Sequence, residues 1–198
     1  MSIEDEVNKS PKSKRKKVFS EKNATFAHHN QNDKSEFMSF LTDFFKKDAN
    51  NVKLIIPEDD LVIASSTLNG LPSVIVLNTA LRKFKHKNIF GWTCSLWMEF
   101  KELADNEMPT SDESQLVIEY LEGISKQIIG DPVHPNALFL ARETTNGHCR
   151  MIWQLYDPKP VDSLLKSIIE EKSYPREFEY KIEYDTKWKG VSWFLKIK

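Results

Sequence analysis

The clearest pattern in this chain is a strict alternation of apolar and polar positions that begins at Phe90. A large apolar side chain stands at every second position from there to Phe100. A period of two is that of a β-strand with one buried face. The alternation returns over residues 148–156 and 178–184, and residues 137–144 form a further apolar run. We therefore predict four strands in this half of the chain.

Two helices are predicted between these strands. Residues 111–130 carry an apolar stripe with helical spacing behind a capping box that starts at Thr110, and residues 161–169 repeat the stripe. Asn146-Gly147 is a strong signal for a tight hairpin turn. The order strand, helix, strand, strand, helix, strand is that of the ferredoxin-like fold, an antiparallel sheet with two helices on one face.

Residues 35–89 predict a helix and a three-stranded β-meander, packed on the main domain. Apolar residues between Phe37 and Phe45 have helical spacing, and turn residues separate three short apolar runs. The expected strands are residues 52–56, 61–68 and 73–78.

The open face of the predicted sheet leaves two alternatives. Alternation places Trp97, Arg150 and Ile152 there, opposite the helix-facing side chains. They form either a ligand surface or part of a second core, depending on whether the meander extends the sheet or covers this face. The apolar C-terminal segment, residues 188–197, is expected against the sheet edge.

Residues 1–34 predict a disordered tail, because they are rich in polar residues and lack a periodic apolar pattern. The chain then divides into this tail, the helix and meander of residues 35–89, and the ferredoxin-like domain of residues 90–198. A basic cluster from Lys12 to Lys17 is either an ordinary solvated tail, a site for nucleic acid or acidic partners, or a nuclear address.

The formal net charge of −1 hides an uneven distribution of charge. Residues 1–34 hold eight Lys and Arg against five Asp and Glu, so residues 35–198 are acidic. Affinity for nucleic acid depends on Lys and Arg at the phosphates, so an acidic body argues against nucleic acid as its ligand. A charged partner of the body is expected to be a basic protein.

A cytoplasmic protein without a membrane partner is expected. No run of residues reaches the roughly 18 uninterrupted apolar side chains of a membrane span. Cys94 and Cys149 stand among large apolar neighbours, which suits buried thiols in a reducing compartment.

The sequence predicts no catalytic residue, no metal site and no cofactor. The six glycines are scattered singly, so neither a dinucleotide nor a P-loop pattern is present. His134 stands on a loop without a nucleophile motif, and is either a loop acid or base or an ordinary loop histidine. The open face offers one aromatic side chain, Trp97, where an RNA-stacking platform needs several.

Acidic residues are concentrated in residues 99–122, where eight carboxylates are opposed only by Lys101. A solvated face is the ordinary interpretation of such a run, and part of it suits a helix N-terminus. As a docking surface, this charge would speed and orient association with a basic protein. The candidate partner-binding residues are Trp97, Glu99, Glu102, Asp105, Glu107, Asp112 and Glu113.

Five segments resemble one known family, and they are residues 70–78, 91–93, 111–113, 137–143 and 150–156. That family is the bacterial domain-of-unknown-function family six-nine-five. Its members are similar in fold to regulator B of ribonuclease E activity, a ferredoxin-like protein inhibitor, which implies binding and not catalysis. The family offers no agreed catalytic residues to carry over.

These features favour a non-enzymatic protein-binding module. A regulator or a toxin-neutralising immunity protein fits this interpretation, with a basic toxin or nuclease as the partner. The alternative is a hydrolase that uses carboxylates or His134.

Overall fold

The computed structural model describes residues 54–68 and 70–197. The expected tail of residues 1–34 and the helix expected at residues 37–45 lie outside this range, as does the start of the first meander strand. The described part of that strand, residues 54–56, is not in a strand, so the three-stranded meander is wrong there. Asp59 and Asp60, which follow, bond to the side chain of Asn78: Asp60 N donates to its Oδ1, and its Nδ2 donates to Asp59 Oδ1.

Six strands and two α-helices occur in the described residues, in the order expected for residues 90–184. The strands are β1 (Leu61–Leu68), β2 (Leu71–Asn78), β3 (Trp92–Glu99), β4 (Ala137–Thr145), β5 (His148–Leu155) and β6 (Phe178–Tyr184). The helices are α1 (Ser111–Ile129) and α2 (Pro158–Glu171). Short 3₁₀ turns occupy Thr79–Lys83, Lys189–Val191 and Phe194–Lys196.

All six strands belong to one antiparallel sheet with the order β1-β2-β4-β5-β3-β6, so the protein is of the α+β class. β2 pairs with β4, so the β1–β2 hairpin extends the sheet. This pairing answers the question that the sequence left open. Asn146 and Gly147 have φ angles of 48° and 74° and make the tight β4–β5 turn that their sequence predicts.

On one face of the sheet, α1 and α2 cover strands β3 to β6. The even-numbered residues of β3 and the odd-numbered residues of β5 face these helices, as the alternation predicts. Trp153 is fully buried there, and its indole Nε1 donates to Ser125 Oγ at 2.9 Å. The largest side chain of this first core therefore has its polar atom paired.

The opposite face is largely covered by residues 79–90 and by the C-terminal segment. Trp188 and Phe194 are fully buried there against Ile152 and against apolar side chains of β2 and β4. The expected position of this segment at the sheet edge is therefore wrong. A face can bury several large side chains at once, whereas an edge leaves them partly in water. Ile152 belongs to this second core.

A β-bulge in β4 decides which core its residues join. The register with β5 shifts between Phe139 and Ala141. Phe139 packs on the helix side, whereas Ala141 lies in the second core. The carbonyl of Phe139 accepts a hydrogen bond from Nδ2 of Asn78 at 3.1 Å. The extra residue of the bulge thus reverses the alternation in the rest of β4.

We predict that Trp188→Ala lowers the free energy of unfolding by about 3–5 kcal/mol, the usual cost of truncating a large core aromatic side chain. Trp188 Nε1 also donates to the carbonyl of Phe90 at 2.8 Å, a bond that the variant loses. Trp193 is 42% exposed and serves as the matched control, so Trp193→Ala should cost about 1 kcal/mol or less. Urea unfolding measures both, and equal losses would contradict the second core.

Candidate functional site

The second core does not reach one end of the open face, and a pocket of about 210 Å³ lies there. Its walls come from the end of β4, the start of β5 and the turn between them, with Leu71 of β2 and Trp97 of β3 completing the lining. The polar lining residues are Glu143, Thr145, Asn146, His148 and Arg150.

Strand register brings the main pocket residues into one row. Trp97 of β3 lies opposite Arg150 of β5, and Arg150 lies opposite Glu143 of β4. Residues directly opposite each other in an antiparallel pair point to the same face, so their side chains are neighbours. A second row beside it holds Glu99 and His148.

The guanidinium of Arg150 is held in place by two of its neighbours. It lies over the ring of Trp97, 4.9 Å from the ring centroid, and its Nη2 donates to Ser95 Oγ at 3.1 Å. Its Nε is buried and has no hydrogen-bond partner among the described residues. Burial lowers the pKa of Arg150, while the nearby carboxylates of Glu143 and Glu183 act in the opposite direction.

Glu143 is a buried carboxyl group with one unpaired oxygen, as far as the described residues show. Glu143 is only 5% exposed, and its Oε1 has no hydrogen-bond partner within the described chain. Burial raises the pKa of Glu143, and the positive charges of Arg150 and His148 oppose that shift. The pocket thus contains one buried acceptor and one buried donor that no described residue pairs with.

The loop between β3 and α1 lies at the same end of the sheet as the pocket. Phe100 N donates to the carbonyl of Gly147, and Gly147 N donates to the carbonyl of Glu107, both at 2.9 Å. Leu103 and Pro109 form an isolated bridge within the loop. The loop is therefore fixed by backbone hydrogen bonds to the turn that lines the pocket.

Four of the predicted partner-binding residues are exposed, namely Glu99, Glu102, Asp105 and Asp112. We call these four residues the acidic rim. The ion pairs of the described residues include none of them. Trp97 is partly buried in the pocket wall, and Glu107 is partly buried with its backbone at φ 61°.

Glu113 is placed differently from the acidic rim. It is 2% exposed, and its two carboxylate oxygens accept hydrogen bonds from Nε and Nη2 of Arg176 at 2.7 and 2.6 Å. Lys101 N also donates to it at 2.8 Å. Glu113 therefore fastens the loop to the start of α1 and lies beneath the exposed surface. Its capping box is half formed, since Thr110 Oγ1 accepts from Glu113 N.

The remaining candidates from the sequence lie apart from the pocket. His134 is exposed, and its Nδ1 lies 3.6 Å from Asp131 Oδ2 on the same loop. Burial raises the pKa of the Cys149 thiol to about 11, and it raises the pKa of Cys94 as well. The basic cluster from Lys12 to Lys17 lies outside the described residues.

Two further findings concern the described part of the chain. It contains no group of three or more His, Cys, Asp or Glu side chains that could hold a metal ion. It also contains no helix long and apolar enough to cross a membrane.

Sequence reasoning placed Trp97 and Arg150 on the open face but missed Glu143. Counting alternate positions from Ala137 puts residue 143 on the helix side of the sheet. The bulge at residues 139–141 reverses that assignment. The charge of Glu143 at an otherwise helix-facing position was the one signal in the sequence that this residue faces the other side of the sheet.

The family model for the family of unknown function DUF695 matches residues 60–195. This range includes every strand, both helices, the pocket and the acidic rim. No curated protein and no solved structure matches the chain.

We predict that Glu113→Gln lowers the free energy of unfolding at pH 7 by about 1–3 kcal/mol, the cost of weakened hydrogen bonds to a buried charged group. The hydrogen bonds from Arg176 hold the pKa of Glu113 below its ordinary value, although burial opposes them. A carboxyl group whose pKa is lower in the folded state than in the unfolded state stabilises the fold at pH values above its unfolded-state pKa. This contribution is lost as the pH falls through its folded-state pKa.

Unfolding followed from pH 7 downward should therefore show a loss of stability below about pH 5 in the wild type, and Glu113→Gln should lack that part of the loss. Asp112→Asn, a change at the exposed neighbour, is the control and should keep that part of the loss, because it leaves the Glu113–Arg176 pair intact. A Glu113→Gln profile parallel to that of the wild type would show that the ion pair contributes nothing to it.

Proposed function

We propose that this chain, which belongs to the family of unknown function DUF695, is a non-enzymatic module that binds a basic protein partner. The acidic rim and the neighbouring pocket form the docking surface. Regulation of the partner, or neutralisation of a toxin, is the kind of role that such a surface serves.

One observation carries this proposal: the fold holds the backbone beneath the acidic rim in a fixed position. Glu99 ends β3 and Asp112 lies in the first turn of α1. The loop between them bears Glu102 and Asp105, and it is bonded to the β4–β5 turn at Gly147 and to α1 through Glu113. A backbone held in a fixed arrangement needs little ordering when a partner binds, so less of the binding free energy is lost. Fixed charges of one sign also steer a partner of opposite sign.

The charge balance at the rim supports a basic partner. Four exposed carboxylates stand there with one exposed cation, Lys101, in the same loop. Arg176, which lies nearby, is already paired with Glu113. Trp97 adds a large aromatic surface at the pocket, a residue type that often dominates the energy of protein interfaces.

We also infer a ferredoxin-like architecture for residues 90–184. The adjacent strands β4, β5, β3 and β6 are antiparallel, and α1 and α2 connect β3 to β4 and β5 to β6. Both helices contribute to the one core on the same face of the sheet. This arrangement supports the ferredoxin-like description, with the β1–β2 hairpin as an addition at the β4 edge.

The hydrolase alternative has less support. His134 is paired with Asp131 on an exposed loop, away from the pocket residues. Thr145 is the hydroxyl residue that lines the pocket, and its Oγ1 donates to the backbone carbonyl of Pro72 at 3.1 Å. A nucleophile needs a base in hydrogen-bond contact, and this hydroxyl is bonded to a carbonyl instead.

We predict that the double change Glu102→Lys and Asp105→Lys weakens partner binding at least about tenfold, which corresponds to roughly 1.4 kcal/mol. The tagged chain is used to capture its partner from a cell lysate, the partner is identified by mass spectrometry, and its affinity is measured after purification. Wild-type affinity should fall as salt is raised, because the contacts lie at an exposed rim.

The matched control reverses two exposed carboxylates at the end of α2, Glu170→Lys and Glu171→Lys. It changes the net charge by the same amount, so it should leave specific binding nearly intact. Equal weakening by both double variants would mean that only net charge matters. An affinity that neither double variant changes would exclude the acidic rim as the docking surface.

A further inference from the structure

Two buried polar atoms in the pocket lack the partners that such atoms normally have. Most buried hydrogen-bonding groups in folded proteins are paired, so an unpaired one calls for an explanation. Here Glu143 Oε1 and Arg150 Nε are both buried and unpaired within the described chain. They belong to residues directly opposite each other on β4 and β5, and both residues line the pocket.

The two atoms are of opposite hydrogen-bonding type. A carboxylate oxygen accepts, whereas the Nε–H of a guanidinium donates. A group that pairs with both must present a donor and an acceptor close together. Elsewhere on the guanidinium of Arg150, Nη2 donates to Ser95 Oγ, and the group lies over the ring of Trp97.

We propose that this pocket binds a planar carboxamide group, whose N–H donates to Glu143 and whose carbonyl accepts from Arg150. A carboxamide carries both functions on one small flat unit. The proposal goes beyond docking at the acidic rim, because it concerns the chemistry inside the pocket.

The charges of the pocket favour a neutral ligand. Glu143 and Arg150 supply one carboxylate and one guanidinium side by side. A cationic ligand would pair with Glu143 but would lie against Arg150, and an anionic ligand would meet the reverse problem. In a buried site each like-charge contact costs more than it would in water. A neutral amide pairs with both groups and meets no such cost.

The size and lining of the pocket suit a carboxamide with a short carbon chain. A volume of about 210 Å³ leaves room for the amide and several carbon atoms. Leu71 and Trp97 offer apolar surface to those carbons. Two sources carry this chemistry: the side chain of a glutamine or asparagine in a bound protein, and a small free amide.

The test uses three ligands of nearly identical shape: propionamide, propionate and propionamidinium. Propionamide is neutral and has both a donor and an acceptor, whereas the other two are an anion with acceptors and a cation with donors. Binding to the full chain is followed by NMR at the indole N–H of Trp97 and at Nε–H of Arg150. We expect propionamide to shift both signals with saturation, and the two ions to bind at least tenfold more weakly.

Variants separate the pocket from the acidic rim. Glu143→Met removes the acceptor at similar size, and it should abolish the effect of propionamide. Glu143→Gln keeps a polar side chain of similar shape, so it tests the role of the carboxylate if Glu143→Met does not fold. Glu143→Gln should weaken propionamide binding without abolishing it. The rim variant with Glu102→Lys and Asp105→Lys should bind propionamide as the wild type does, so that failure at the rim and failure in the pocket are distinguishable.

Four results would overturn the proposal. Stronger binding of propionamidinium would make the pocket a cation site, and stronger binding of propionate would make it an anion site. Absence of binding by all three would mean that ordered water pairs with the two atoms. Unchanged propionamide binding in both Glu143 variants would place the amide elsewhere.

The source of the amide is resolved with two lysine-rich peptides that differ only at a central residue, glutamine or leucine. Tighter binding of the glutamine peptide by the wild type, with the difference lost in Glu143→Met, assigns the pocket to a side chain of a bound protein. Equal binding of the two peptides, together with saturable binding of propionamide, assigns it to a small free amide. Either result supports a carboxamide site.

Discussion

The β-bulge between Phe139 and Ala141 is the constraint on which the rest of the structure depends. Before the bulge, β4 places Phe139 against the helices, and after it Ala141 and Glu143 point to the other face. Asn78 stabilises the bulge, because this residue is 1% exposed and its amide Nδ2 donates to the carbonyl of Phe139. The side chain of Asn78 also accepts from the backbone of Asp60 and Ala80, so one residue links the bulge, the end of β2 and the chain before β1.

The bulge also explains why the sheet has a core on both faces and yet retains a pocket. Ala141 is small, and with Ile152 and Leu77 it provides a floor on which Trp188 and Phe194 pack. Further along β4 the same face presents Glu143, which an apolar cover would leave without hydrogen bonds. The second core therefore ends where the charged side chains begin. The pocket is the polar continuation of a face whose other part is largely covered.

The sequence predicts those features of the fold that depend on local pattern. The alternation from Phe90, the turn at Asn146-Gly147 and the helix start at Thr110 each involve residues close together in the chain. The errors concern contacts between distant residues. The C-terminal segment has an apolar pattern that fits an edge or a face equally well, and only the three-dimensional path of the chain decides between them. For the site, Trp97 and Arg150 could be assigned to the open face from alternation alone. The assignment of Glu143 requires the bulge in β4, which the sequence signals only through a charged residue at an otherwise helix-facing position.

The same distinction between local and distant contacts separates the acidic residues by role. Glu113 and Glu122 look like their neighbours in sequence, yet Arg176 and Arg142, both far along the chain, pair with them. Glu113 is thereby removed from the surface and stabilises the fold. The acidic rim has no such arginine among the described residues, so its charge stays available at the surface. Arg176, which pairs with Glu113, thereby also fastens the backbone that bears Glu102 and Asp105. The buried pair and the exposed carboxylates are therefore parts of a single arrangement.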